Sequence, residues 1–171
     1  MANRGPEAAS LHVLPTLWCR NTWTWWPDQP KPSLRQRLVE NTVAIEASHA
    51  ELGGFLLQCD GNPSLLFTEN DTNNERVLGR PNATPYVKDG INSRVVAGRE
   101  NAVNPAQAGT KAAAHYQLTV GARETAVIRL RLSNTGARTP FGAGFDEIVD
   151  KRRQEAGAIL QGSHARPCRR G

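Results

Sequence analysis

The sequence predicts a mainly β protein, an antiparallel β-sandwich followed by one C-terminal helix, and three observations carry that expectation. Apolar and β-branched runs of about five to eight residues, separated by Gly, Pro, Asn and Asp, dominate the chain up to Ser133, which is strand punctuation rather than helical periodicity. The period changes after Phe145 to that of an amphipathic helix. The size, 171 residues and 18.7 kDa with 39% hydrophobic residues, suits one ordinary domain with a single core.

In chain order, the first run covers 10–20 and the next three 42–47, 55–59 and 64–68. Asp60-Gly61-Asn62-Pro63 between the third and fourth reads as a tight hairpin connection, because Asp-Gly tolerates the positive φ of a two-residue turn. Further strands are expected at 94–97, 115–120 and 125–133. In the last, Val127, Ile128, Leu130 and Leu132 largely alternate with Arg129 and Arg131, so the apolar set is expected on a buried face and both guanidinium groups on the other. About seven strands with turn signals between them favour an antiparallel sandwich.

From Phe145 to Leu160, the residues Phe145, Ile148, Val149, Ala156, Ile159 and Leu160 fall on one helical stripe, opposite Asp146, Glu147, Lys151, Arg153 and Glu155. The run after it, GSHARPCRRG, has no period and is expected to be disordered. The chain therefore divides into a partial sandwich domain over 1–140, a linker helix over 141–161 and a basic tail over 162–171.

The net charge of +5 would suggest nucleic acid if it were spread over a face. It sits at the end: residues 1–150 sum to zero, and Lys151, Arg152, Arg153, Arg166, Arg169 and Arg170 face Glu155 alone. A short cationic end on a neutral body steers anions weakly, so nucleic-acid binding through it is a minor alternative. No apolar stretch is long enough to span a membrane and the first residues lack a signal-peptide run, so a cytoplasmic protein without membrane contact is expected. Cys19, Cys59 and Cys168 are odd in number and far apart, which suits free thiols. His12, His49, His115 and His164 lie more than thirty positions apart, so spacing offers no metal-ligand pair and no metal or other cofactor is expected. GxSxG, Walker and GxGxxG motifs are missing.

The most unusual local feature is Leu17-Trp18-Cys19-Arg20-Asn21-Thr22-Trp23-Thr24-Trp25-Trp26, which holds all 4 tryptophans of the chain. Indole faces stack on the C–H faces of sugars, and neighbouring Arg and Asn fork hydrogen bonds to hydroxyls. Arg20, Asn21, Trp23 and Trp25 are therefore the candidate carbohydrate contacts. The competing reading, favoured by the usual behaviour of large aromatics, has Trp18, Trp23 and Trp25 plug the core or seal a contact with another domain. Glu69, Asp71, Glu75 and Asp89 are candidate carboxylates, but acids set among Asn and Thr more often cap turns than catalyse.

Four long segments, ANRGPEAASLHVLPTLWCRNTWTWWPD, LLFTENDTNNERVLG, PNATPYVKDGINSRVVAG and AVNPAQAGTKAAAHYQLTVGARETAVIRLRLS, resemble bacterial proteins related to glycoside hydrolase family 63, the processing α-glucosidase and mannosylglycerate-hydrolase-like group. The resemblance runs from about Asn3 to Ala158. It implies the later part of an N-terminal β-sandwich that precedes a helical (α/α)6 toroid carrying an inverting pair of carboxyl groups. Such a pair works roughly 6.5 to 9.5 Å apart with a water between, which requires the toroid. No position here matches a catalytic motif, so no catalytic residue is assigned and the chain is expected to be inactive alone, an incomplete sandwich that packs on the missing domain. Met1 opens where the relatives are already inside a strand, GSHARPCRRG looks like a shifted reading frame, and Cys19 and Trp26 depart from the family pattern. The rival is a stand-alone carbohydrate-binding sandwich.

Overall fold

The computed structural model of the chain describes residues 1–164 except 27, 135 and 137, with side chains as far as residue 159. It consists of two units, Met1–Arg138 and a second from Thr139 on. The first unit is built from two antiparallel sheets. Strands β1 (Ala9–Val13) and β2 (Thr16–Trp18) lie along one side of β8 (Lys111–Val120), and β6 (Ser64–Thr68) lies along its other side. Ala9 opposite Val120 and Trp18 opposite Lys111 share one register, so β1 and β2 are a single strand interrupted at Leu14-Pro15. Pro15 has no N–H for the ladder, but its carbonyl still accepts the Ala114 amide at 3.0 Å. The second sheet has the order β7 (Ala108–Gly109), β3 (Ser33–Val39), β4 (Thr42–His49), β5 (Gly53–Cys59), β9 (Leu130–Ser133).

The core lies between the sheets. Leu34, Ile45, Leu57 and Cys59 meet Leu65, Phe67, Ala112, Ala114 and Tyr116, with Val13, Leu17, Leu118, Ile128 and Leu130 packed around them. Period-2 alternation explains the set: residues of one parity in each strand face inward. On the outer face of β6 and β8, Leu66 and Ala113 are covered by Ile91 of α2 (Gly90–Ala97), with Val95 beside it. Ala112, Ala113 and Ala114 in β8 are fully buried, and their small side chains let layers close on both faces of that strand.

The mainly β sandwich stands as expected, and several elements differ. Residues 94–97 are helical, not a strand. Ile91 and Val95, four residues apart, make one helical stripe, and Gly98 in the left-handed region (φ 67°) ends the turn, which overrides the β preference of Val95-Val96. Within 125–133, only Leu130–Ser133 is a strand. Ile128 and Leu130 reach the core, whereas Val127 shares the parity of Arg129 and is 74% exposed. Asp60-Gly61-Asn62-Pro63 does contain positive φ, 74° at Gly61 and 46° at Asn62, yet it joins β5 to β6 in opposite sheets instead of closing a hairpin. Its conformation is held by Tyr116, whose hydroxyl donates to the Asp60 carbonyl at 2.8 Å, and by Asn62, whose side-chain oxygen accepts the Val43 amide at 3.0 Å. Sequence reading missed β3, where Arg35 and Arg37 on the outer face and Gln36 on the inner break the apolar run. The β3–β4 hairpin turns through Glu40 (φ 49°) and Asn41 (φ 67°), a type I′ pair without the glycine that usually marks it.

Thr110 is where the chain changes sheets, since β7 pairs with β3 and β8 begins one residue later in the other layer. It is 1% exposed and its polar groups are spoken for. Its N–H donates to the Thr68 carbonyl at 3.1 Å, and its carbonyl accepts the Cys19 amide at 3.1 Å. The hydroxyl donates to Glu69 Oε2 at 2.7 Å and accepts the Asn70 amide at 2.8 Å. Replacing Thr110 by the near-isosteric Val removes one hydrogen bond from the Glu69 carboxylate and one from the Asn70 amide at once. The expected loss is about 1–3 kcal/mol in urea unfolding, with Thr110→Ser restoring most of it. A Val variant as stable as the parent contradicts this role.

Not all of the inner face is covered. Leu132, in register with the buried Leu57, is 54% exposed, and Leu38, opposite Val43, is 65% exposed.

In the second unit, α3 runs over Ala143–His164, beyond the expected end at 161. Phe141 and Phe145 meet edge to face at 5.7 Å between centroids, and Arg153–Asp150 and Arg152–Glu155 pairs line the polar side. Ile148 and Ile159 of the apolar stripe are more than half exposed, and the side chain of Leu160 lies outside the described residues. Of the tail expected to be disordered, 162–164 belong to α3 and 165–171 lie outside the described residues. Among the described residues, no helix is long and apolar enough to cross a membrane.

Candidate functional site

The aromatic segment begins inside a strand and ends outside it. In β2 the inward position is Leu17, which packs on the core, so strand alternation turns Trp18 outward and leaves it 55% exposed. After Cys19 the chain leaves the sheet. Asn21 organises the turn that follows: its side-chain oxygen accepts from Thr24 Oγ1 at 2.9 Å, and the Trp25 amide donates to the Thr22 carbonyl at 3.1 Å. The other end of the Asn21 amide donates to the Asp71 carboxylate, and Asn70 Nδ2 donates to the Cys19 carbonyl at 2.9 Å. These bonds tie the turn to the loop after β6.

The four candidate residues therefore separate. Arg20 and Trp25 come together, the guanidinium carbon 5.6 Å from the indole centroid, both side chains exposed. Asn21 is engaged at both ends of its amide and holds the turn, while Trp23 is half-buried. The expectation that Trp18, Trp23 and Trp25 plug the sandwich core is corrected: none belongs to a core cluster, and Trp18, Trp25 and Trp26 are each more than half exposed. The physical reason is strand parity at Trp18 and departure from the sheet afterwards.

Trp18 is a site residue that sequence reasoning assigned only to packing. It lines a cleft of about 360 Å³ with Arg20, Gln29, His49, Glu51 and Leu52, between the aromatic segment and the β4–β5 turn. That turn is fastened by His49 Nδ1, which accepts the amides of Glu51 at 3.2 Å and Leu52 at 3.3 Å. Leucine at 17 was the available signal, because an apolar inward neighbour forces the next residue out. A smaller cleft of about 290 Å³ lies alongside, lined by Asn21, Thr24, Asp71, Thr72 and Thr84.

The acidic residues behave as turn and network elements. Glu69 accepts from Thr110 and pairs with Lys31 at 3.0 Å. Burial pushes the Asp71 carboxyl above its ordinary range, with Glu69 adding to the effect and Lys31 opposing it. Asn73 caps α1 (Asn74–Leu78) by accepting the Arg76 amide at 3.1 Å, and Asp89 holds Asn73 at 3.1 Å and Arg76 at 3.3 Å. Asn82 accepts the Asn74 amide at 2.7 Å, and Glu75 on α1 is exposed. Cys19 and Cys59 are free, and burial pushes the Cys59 thiol up to about 11.

Among the described residues, no three His, Cys, Asp or Glu side chains converge. Two histidines do: His115 Nε2 and His12 Nδ1 are 2.9 Å apart on the outer face of β1 and β8.

No family model matches the chain, and no solved structure matches it. It is similar to the uncharacterized protein YMR196W of Saccharomyces cerevisiae, 28% identical over 183 residues that take in 88% of this chain and 17% of that protein. The chain thus spans less than a fifth of the length of the curated relative it matches.

Proposed function

We propose that this chain is the sandwich portion of a family-63-like glycoside hydrolase. In this reading it packs against an (α/α)6 catalytic domain, lines the mouth through which an α-glucoside enters, and does not hydrolyse sugar alone. The observation that carries the reading is the 360 Å³ cleft lined by the exposed Trp18 and by Arg20, whose guanidinium lies over the exposed Trp25. Flat, half-wet indoles with a guanidinium beside them suit the C–H faces and hydroxyls of a pyranose. Leu38 and Leu132 support it as well, since two leucines on the inner face of a sheet are left wet where further protein would cover them.

The test has two arms. Purified chain incubated with α-glucosides and with mannosylglycerate is expected to release no sugar above blank, while the DNA flanking its coding sequence encodes the helical domain. Sugar release that co-purifies with the chain, or flanks that encode no such domain, overturns the proposal. The second reading, a stand-alone carbohydrate-binding module, rests on the same cleft. It requires tryptophan fluorescence to shift saturably with oligosaccharides in the chain alone, where the first reading expects a flat titration.

A further inference from the structure

His12 and His115 are 103 positions apart in sequence, yet the antiparallel register of β1 and β8 sets them diagonally on one face. Their rings lie 4.9 Å apart between centroids at 41°, with His12 Nδ1 and His115 Nε2 separated by 2.9 Å. Two imidazole nitrogens bound to one metal at about 2.05 Å in adjacent octahedral positions stand about 2.9 Å apart, and in tetrahedral positions about 3.4 Å. As it stands the pair is a hydrogen bond, one ring donating to the other, and a cation taking the place of the shared proton would keep nearly this nitrogen spacing while each ring turned its lone pair toward the ion.

We propose that His12 Nδ1 and His115 Nε2 form a surface site for a borderline divalent cation of the Ni²⁺, Cu²⁺ or Zn²⁺ type, with water completing the coordination. The surroundings agree. His12 is exposed and His115 half-exposed, so a hydrated ion has access and the rings can exchange tautomers. Gln117, directly opposite His12, and Ser64, directly opposite His115, present oxygen donors on the same face. The charged group that approaches is Arg94 of α2, whose guanidinium is 3.7 Å from the Glu100 carboxylate and partly compensated by it. Burial, then His12, then Arg94 hold the His115 imidazole below its ordinary titration range. A bound ion would clip β1 to β8 across a long loop and favour the native state over the unfolded chain, in which the two rings rarely meet. This site is independent of the tryptophan cleft.

The experiment is isothermal titration of the full chain with NiCl₂ at pH 7.5, repeated on His12→Gln, His115→Gln and, as a reference, His49→Gln. One ion per chain is expected, with a rise in Tm. Affinity should fall at least about tenfold in each of the first two variants and stay unchanged in the third, because removing one of two protein ligands leaves a single imidazole. Paramagnetic Ni²⁺ should also broaden the imidazole resonances of His12 and His115 first in the unmodified chain, a readout that needs no variant to fold. Equal affinity in all three variants, broadening centred on His49 or His164, or no binding at pH 7.5 overturns the proposal.

Discussion

Gly109→Ala is expected to be among the most damaging small substitutions in this chain. A Cβ at Gly109 would stand 2.3 Å from the Thr68 carbonyl oxygen and 2.8 Å from its carbon, both backbone atoms. Real Cβ contacts do not occur below 3.0 Å, so something must move. Neither side can move cheaply. Gly109 is paired with Leu34 of one sheet, while Thr68 is paired with Lys111 of the other and its carbonyl also accepts the Thr110 amide at 3.1 Å. The two layers meet backbone to backbone at the point where the chain passes between them. The loss is expected at or above the upper end of the roughly 1–3 kcal/mol typical of overpacking, read as the shift of the urea midpoint. Gly157→Ala is the control: it sits inside α3 with open space around it, and alanine there should stabilise by about 0.5–1 kcal/mol. If Gly109→Ala melts with the parent, the close approach at Thr68 is not present in solution.

Phe67→Ala should rival it by the opposite mechanism, emptying the core instead of overfilling it. Phe67 is completely buried and the largest of the fully buried side chains. It lies opposite Ala112, in a cluster with Leu34, Ile45, Leu65 and Tyr116, so a large ring is matched to a methyl group across the β6–β8 pair. Truncation is expected to cost about 3–5 kcal/mol, the transfer of the ring plus the cavity it leaves. Against a typical total of about 5–15 kcal/mol, in a sandwich that already leaves Leu38 and Leu132 wet, that is enough to threaten cooperative folding. Near-UV circular dichroism and urea unfolding measure it. A cost below about 1 kcal/mol would mean that the sheets do not close on this ring as described.

Much of the architecture was legible in local pattern. The runs that became β4, β5 and β6 are dense in Val, Ile, Leu and Phe, and they were bounded to within a few residues. The helical period after Phe145 was equally plain. What escaped was decided by partners. Val95-Val96 favours a strand locally, but Ile91 and Val95 find an apolar surface on Leu66 only as a helix. Asp60-Gly61 supplied the φ values of a tight turn and said nothing of which sheet the next strand would join. At the candidate site, the tryptophan cluster was visible at once, whereas its division into exposed Trp18, Trp25 and Trp26 and half-buried Trp23 depended on where the strand stops.

Taken alone, the order of amino acids determined that this chain makes a mainly β body with a helix after it, because alternation and periodicity are local properties that a strand or helix must satisfy before any partner arrives. Tertiary structure alone decided which distant residues meet. It brought Thr110 among Thr68, Glu69 and Asn70, placed Arg20 over Trp25 beside a cleft shared with the β4–β5 turn, and set His12 against His115. Such meetings follow from strand order and register. Those are fixed by the burial of whole faces, and no short window of sequence contains that energy.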